Sequence, residues 1–159
     1  GPALDEVVRM AIVEEGADLF RAAGLDSQAM PNLHQARWQK LVWNIPYNGL
    51  SVLLGASTTP LMADADSHEL IRSLMAEVIQ GANACGHEVP ASYAEQLLQV
   101  TQRMPDYWPS MYHDFLHKRP LELEAIYARP LAAAKAVGCD MPRIEAMYRS
   151  LSFIDRRNT

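Results

Sequence analysis

Apolar residues recur every three or four positions along most of this chain, which is the period of an amphipathic α-helix. Two segments show the pattern first, residues 3–23 and about 34–54, and each is followed by a glycine, Gly24 or Gly55. Glycine directly after the last periodic position is typical of a helix C-terminus. We therefore predict one helix in each segment, followed in the second case by a loop that begins at Gly55.

The same periodicity continues to the C-terminus, interrupted only by turn residues. The further predicted helices span about residues 66–85, 92–104, 110–115, 120–137 and 142–153. Asp66, Ser92 and Ser110 are the expected N-caps, and Pro130 should kink or break the helix that contains it. No stretch alternates apolar and polar residues over six positions, so no strand is predicted. The pattern predicts a single all-α domain of six or seven helices.

Composition and charge narrow the class of protein. The 159 residues, 49% of them hydrophobic, suffice for one domain with a core. A net charge of −5 gives no basic surface for nucleic acid or an anionic membrane. No apolar run is long enough to span a bilayer, and no signal sequence opens the chain. Cys85 and Cys139 have no metal-binding spacing and are expected to be free thiols. These features predict a cytoplasmic protein that binds neither nucleic acid nor membrane and holds no metal.

A line of polar residues interrupts the apolar segment RWQKLVWNIPYNGL. Lys40, Asn44 and Asn48 are four positions apart, so on a helix they form one slowly winding stripe. Pro46 cannot donate to the carbonyl of Val42, which should bend the helix or free that carbonyl. A solvated surface stripe is the commoner explanation of such spacing. Three large rings flank the stripe and favour a partly enclosed cleft instead: Trp38, Trp43 and Tyr47.

A second polar cluster lies in the segment PSMYHDFLHKRPLELE, residues 109–124. Asp114 and Arg119 are expected to pair at the surface, and Glu124 is expected to favour a helix N-terminus. Ser110, Asp114 and Glu122 lie on or beside predicted helix starts, where hydroxyl groups and free amides can bind a carboxylate. The choice of Ser110 and Glu122 as functional candidates rests on the resemblance described next.

The order of these residues resembles the C-terminal half of the ketopantoate reductase family. The shared pattern is K-x-x-x-N-x-x-x-N, from Lys40 to Asn48, followed by S-M-x-x-D-x(7)-E, from Ser110 to Glu122. The segments FRAAG, AEVIQGANACG and AKAVGCDMP look like family landmarks in family order. The resemblance implies a helical domain of the kind found at the C-terminus of 6-phosphogluconate dehydrogenase.

The resemblance also implies a reaction and residue roles. Members of the family reduce 2-dehydropantoate to pantoate with NADPH, on the route to pantothenate and coenzyme A. By position, Lys40 looks like the general acid, and Asn44 and Asn48 would orient the substrate and the lysine. Ser110 would contact the substrate carboxylate, and Glu122 would bind the substrate or position Lys40.

The chain departs from the family pattern at two places. Thr58 takes the loop position where some members have a substrate-binding asparagine, so Thr58 is a further candidate for substrate binding and the exact 2-keto acid stays open. Tyr127 and Ala128 replace an asparagine-glycine pair found in many members. The second change leaves open whether the helices pack closely there.

The chain contains no G-x-G-x-x-G motif and no strand pattern to hold one. We therefore expect the N-terminal Rossmann domain of the family to be absent, Gly1 and Pro2 to be a tag remnant, and residues 3–159 to form the helical domain. Such a fragment should bind no NADPH and should be inactive alone. Its expected partners are a small 2-keto acid, the missing nucleotide-binding domain and a second copy in a homodimer.

Two alternatives remain open at this point. One is a related reductase that acts on a different 2-keto acid. The other is a non-catalytic helical domain for dimerisation or partner binding. Loss of the partner domain should also expose an apolar face containing Trp43, Tyr107 and Trp108, which predicts self-association.

Overall fold

A computed structural model of the protein describes residues 31–159. The predicted helix over residues 3–23, its Gly24 cap, the FRAAG segment and the expected tag remnant lie outside the described residues. The described range contains no β-strand, which confirms the all-α prediction. Its seven α-helices are α1 (Pro31–Leu54), α2 (Thr58–Ala63), α3 (Ala65–Ala84), α4 (Ser92–Arg103), α5 (Ser110–Leu116), α6 (Arg129–Ala136) and α7 (Pro142–Asn158). A π-helical turn, Glu124–Ala128, leads directly into α6.

The centre of the fold is α1. It packs against α3, α5, α7 and the π-turn, and every residue from 42 to 52 is buried. The enclosed part of a helix is predominantly apolar, which explains why large rings flank the polar stripe. The helix continues through Pro46 without a break.

The prediction that Trp43 contributes to an exposed apolar face is wrong. Trp43 is buried, its ring stacks on Tyr47 with a centroid distance of 4.5 Å, and its indole N–H donates to the Thr101 hydroxyl at 3.0 Å. The indole therefore belongs to the core, where its polar atom is satisfied. Tyr107 and Trp108 are half-buried.

The structure corrects several predicted helix starts. Asp64, not Asp66, caps α3, because its extended backbone precedes the first helical residue and its carboxylate accepts from the amides of Asp66 and Ser67. Ser92 and Ser110 are the first helical residues of α4 and α5, and neither helix has a side-chain cap. The predicted loop after Gly55 also contains the short helix α2.

The predicted break near Pro130 takes the form of the π-turn. Pro130 is the second residue of α6, directly after the π-turn, and it has no N–H to donate to that turn. The preceding turn widens to the π form at Glu124–Ala128. The predicted helix over residues 120–137 therefore begins later than expected and is irregular over its first turns.

Tyr127 of the π-turn joins this segment to α1. Its side chain is fully buried, and its hydroxyl donates to the backbone carbonyl of Ile45 at 2.6 Å. A Cβ atom at Gly49 would lie 2.5 Å from that hydroxyl and 2.7 Å from the sulfur of Met147. Burial raises the pKa of the Tyr127 hydroxyl, which keeps it protonated as a donor. The segments thus pack closely here, with tyrosine in place of the asparagine found in many family members.

A buried carboxylate fixes the position of α7. Glu77 of α3 accepts the Ile144 amide at 2.8 Å and the Arg143 guanidinium at 3.2 Å. Ile144 lies in the first turn of α7, where helix amides have no partner within the helix. Glu77 therefore supplies a cap from a different helix, and the N-terminus of α7 favours its negative charge.

Two further sequence predictions bear on the class of protein. Cys85 and Cys139 are free thiols, as predicted. Over residues 31–159, none of the helices combines the length and the apolar character that a membrane crossing requires.

We predict that the Tyr127 hydroxyl stabilises the fold. Tyr127→Phe removes the buried hydrogen bond to the Ile45 carbonyl and should lower the free energy of unfolding by about 1 to 2 kcal/mol. Gly49→Ala forces a Cβ atom against the hydroxyl and should cost about 1 to 3 kcal/mol. Urea unfolding measures both effects. Tyr148→Phe is the control, since no partner for the Tyr148 hydroxyl is seen within the described range; equal losses for the two tyrosine variants would contradict the prediction.

Candidate active site

A cleft of about 490 Å³ lies between α1, the start of α5 and the segment that contains the π-turn. It brings together every residue that the sequence singled out for a functional role except Thr58. Those residues are Lys40, Asn44, Asn48, Ser110 and Glu122. Positions more than eighty residues apart in the chain therefore line one concave surface.

The polar stripe of α1 passes from the cleft into the core. Lys40 is half-buried, Asn44 is 7% exposed and Asn48 is 1% exposed. Each four-residue step turns the side chain by about 40° beyond a full turn, so successive members of the stripe face the protein interior more directly. Because Asn44 lines the cleft, its small exposed area lies on the cleft.

Asn48 connects the stripe to α5. Its side-chain oxygen accepts the Met111 amide at 3.3 Å, and its backbone carbonyl accepts the Ser51 hydroxyl at 2.7 Å. The Met111 amide is in the first turn of α5, where a helix has free donors. Asn48 thus anchors the helix start that carries Ser110, whose side chain lies at the exposed edge of the cleft.

Glu122 lies on the opposite wall, just before the π-turn. Its neighbour Leu121 is buried and donates its amide to the Asp155 carboxylate at 3.0 Å, which ties this stretch to α7. The Glu122 carbonyl accepts the Ile126 amide at 3.4 Å. The stretch is therefore held at both ends while the Glu122 side chain remains exposed on the cleft.

Thr58 is buried and does not line this cleft. Its hydroxyl accepts the Tyr107 amide, and its own amide donates to the Tyr107 carbonyl, both at 3.0 Å. Asp106 reinforces the junction by accepting the Thr59 amide and the Ser57 hydroxyl at 2.9 Å each. The Thr59 amide bond is the main reason that the pKa of Asp106 is lowered. The observed contacts of Thr58 hold the start of α2 against the loop before α5.

The charged residues that were expected to be structural form surface ion pairs. Arg119 pairs with Asp114 at 3.0 Å, and Arg129 pairs with Glu124 at 3.8 Å. Arg129 and Glu124 are both 73% exposed, so solvent screens their attraction and the pair contributes little to stability.

Sequence analysis missed several residues that line the cleft. Arg37 and His34 continue the Lys40 face of α1 toward its N-terminus, and Arg129 follows Glu122 by seven residues, across the π-turn. The three-to-four-residue spacing along α1 was the signal that could have identified the first two. Nothing local marks Arg129, because its position depends on the π-turn.

The site contains acid–base groups and hydrogen-bonding groups rather than a metal centre. Over residues 31–159 there is no group of three or more histidine, cysteine, aspartate or glutamate side chains placed to hold a metal ion. A half-buried ammonium group, cleft-facing amides, a hydroxyl and a carboxylate are suited to binding a small oxyacid and transferring a proton.

Comparison with known proteins agrees with this geometry. The family described as ketopantoate reductase PanE/ApbA C terminal matches residues 32–155. A 2-dehydropantoate 2-reductase from Nostoc is 45% identical over 139 residues, which are 87% of this chain and 44% of the relative. Two crystal structures of 2-dehydropantoate 2-reductases superimpose well on this chain. The Methylococcus capsulatus structure has a TM-score of 0.77 at 33% identity, and the Geobacter metallireducens structure has 0.75 at 41%.

The fold is that of a helical domain found in the 2-dehydropantoate 2-reductases named above. The chain belongs to the ketopantoate reductase family and corresponds to its C-terminal domain. It spans less than half the length of the Nostoc relative. The matches to the two crystallised proteins each cover 92% of this chain but only 47% and 48% of those proteins.

We predict that Asn48 is needed to hold α5 in place. Asn48→Ala removes the acceptor of the buried Met111 amide and should lower the free energy of unfolding by about 1 to 3 kcal/mol. Asn44→Ala is the matched control, since it removes an amide one turn earlier on the same stripe. Thermal unfolding monitored by circular dichroism compares the variants. An equal or smaller loss for Asn48→Ala would contradict the anchoring role.

Proposed function

We propose that this chain is the substrate-binding and proton-donating part of an NADPH-dependent 2-dehydropantoate 2-reductase. The observation that carries the proposal is the presence of Lys40, Asn44, Ser110 and Glu122 on one cleft. Family membership supports it, because the relatives named above are 2-dehydropantoate 2-reductases.

In this proposal, Lys40 is the general acid. Hydride addition to the keto carbon of a 2-keto acid moves the carbonyl electron pair onto oxygen. An ammonium group stabilises that charge as it develops and then transfers a proton to give the alcohol. Lys40 would later regain its proton from water. Its side chain lines the cleft and is half-buried, which limits competition from bulk solvent.

The other residues on the cleft bind and orient the substrate. Asn44 and Asn48 are neutral, so they can position the substrate and the lysine without adding a competing charge. Ser110 would contact the substrate carboxylate at the start of α5. Glu122 would favour the protonated form of Lys40 from the opposite wall. We assign no substrate contact to Thr58, since its observed hydrogen bonds are to the Tyr107 backbone.

The hydride would come from NADPH bound to a separate nucleotide-binding domain. Residues 31–159 contain no strand, and therefore no strand-turn-helix phosphate loop that could hold a dinucleotide. Since the chain spans less than half of the Nostoc relative, we propose that such a domain completes the enzyme and that residues 31–159 alone do not turn over substrate. Cytoplasmic location is part of the same proposal.

Assembly as a homodimer is a further part of the proposal. A ketopantoate reductase from Staphylococcus aureus with the same fold is described as dimeric; it is 27% identical, with a TM-score of 0.74. The described part of this chain also leaves large apolar side chains exposed, including Leu116 and Phe153.

A reductase of a different 2-keto acid is the second candidate. The observation that favours it is the presence of Arg37 and Arg129 on the cleft, since 2-dehydropantoate carries only one anionic group. A purely structural domain is less well supported, because it gives no reason for a half-buried lysine on a cleft lined by amides.

We expect Lys40→Met to lower kcat by about 10²- to 10⁴-fold, the range associated with loss of a general acid. Glu122→Gln should have a smaller effect, because it keeps the shape of the side chain but removes its charge. The assay follows NADPH oxidation by 2-dehydropantoate, with the protein encoded by the complete reading frame. Lys135→Met is the control, since Lys135 is exposed on α6 and does not line the cleft. Unchanged kcat in Lys40→Met would exclude the proposed role.

A further inference from the structure

Two arginines line the cleft, and Arg37 lies at the end of it away from Ser110. Arg37 precedes Lys40 by one helical turn, an axial rise of about 4.5 Å along α1. Asn48, which anchors the start of α5, lies on the other side of Lys40. Arg129 brings a second guanidinium to the cleft from the first residue of α6. Along α1, the proposed proton donor therefore lies between Arg37 and Asn48, and Asn48 marks the end of the cleft that contains Ser110.

The charge on the cleft contrasts with the charge of the chain. The full sequence has a net charge of −5, but the charged residues that line the cleft are three cations, Arg37, Lys40 and Arg129, and one carboxylate, Glu122. A concave surface with an excess of one sign concentrates ligands of the opposite sign. The cleft is therefore suited to an anion carrying more than one negative charge.

Both guanidinium groups are accessible to such a ligand. Arg37 is exposed. Arg129 has Glu124 as a partner at 3.8 Å, but both side chains are 73% exposed. The pair is therefore weak, and Arg129 can leave Glu124 for an anionic ligand. Guanidinium groups bind carboxylates and phosphates through two parallel hydrogen bonds, which a lysine cannot do.

A substrate with a single carboxylate leaves these arginines unused. In the proposed function, which this step extends, Ser110 takes the carboxylate beside the ketone and Lys40 takes the ketone oxygen. We propose that Arg37 and Arg129 form a second anion subsite, for a carboxylate or phosphate group that is not attached to the reacting carbon. Such a group is available from two sources, the far carboxylate of a dicarboxylic 2-keto acid and a phosphate of the dinucleotide cofactor.

The test measures binding, so it does not depend on turnover. The protein from the complete reading frame is compared with Arg37→Gln, Arg129→Gln and the double variant. Calorimetry gives the Kd of 2-oxoglutarate, of 2-oxopentanoate, which has the same carbon count and one carboxylate, and of NADPH, each at low and high salt. Arg149→Gln is the matched control, because Arg149 is an exposed arginine paired with a glutamate on α7, outside the cleft.

If the subsite binds the far carboxylate of a substrate, the wild type should bind 2-oxoglutarate more tightly than 2-oxopentanoate. The ratio of the two Kd values should then fall roughly tenfold in the double variant. If the subsite binds a phosphate of the cofactor instead, the double variant should bind NADPH with a roughly tenfold higher Kd, and that Kd should depend less on salt concentration than in the wild type. Either outcome supports the subsite, and Arg149→Gln should show neither. The subsite is rejected if the double variant keeps both the preference ratio and the NADPH Kd within about twofold of wild type.

Failure of the proposed function gives a different result. If the wild-type protein does not reduce 2-dehydropantoate but the double variant still weakens binding of 2-oxoglutarate or NADPH, the substrate assignment is wrong and the subsite stands. If the wild type reduces 2-dehydropantoate and the arginine variants change no Kd, the reaction stands and the subsite is wrong.

Discussion

The contact between Tyr127 and the backbone of α1 is the constraint on which the cleft depends. The Tyr127 hydroxyl meets the Ile45 carbonyl beside Gly49, next to Asn48 in the sequence. Tyr127 also follows Glu122 by five residues. One buried hydrogen bond thereby sets the spacing between the wall that carries the lysine and the wall that carries the glutamate. The bond is strong because both groups are shielded from water, and a side chain at Gly49 would separate the two walls.

Buried polar groups play the same part elsewhere in the domain. Asn48 binds the first turn of α5, and Glu77 binds the first turn of α7. In each case a side chain from one helix satisfies free amides at the start of another, where the helix itself provides no acceptor. Such contacts specify how the helices are arranged, because an apolar contact alone would tolerate more than one arrangement and an unsatisfied buried amide would not be tolerated.

The chemical order of the cleft follows from this arrangement. Along α1, the amides of the stripe lead into the core at one end, Lys40 occupies the middle, and the exposed Arg37 lies at the other end. A ligand that enters among the charged groups would therefore meet increasingly enclosed hydrogen-bonding groups. Solvent screens the interactions of the ligand with the exposed charged groups, so its hydrogen bonds to the enclosed amides contribute a larger share of the binding free energy.

The sequence by itself determined the helical class, most of the helix positions and five polar residues that line the cleft. Helical periodicity is a local property, and the K-x-x-x-N-x-x-x-N spacing fixes which side chains share a face of α1. Only the tertiary structure showed that Trp43 is in the core, that Asp64 and Glu77 supply caps, and that Thr58 binds backbone instead of lining the cleft. It also placed Arg129 on the cleft through a π-turn. Burial and contacts between distant segments decide these features, and neither is encoded in the spacing of neighbouring residues.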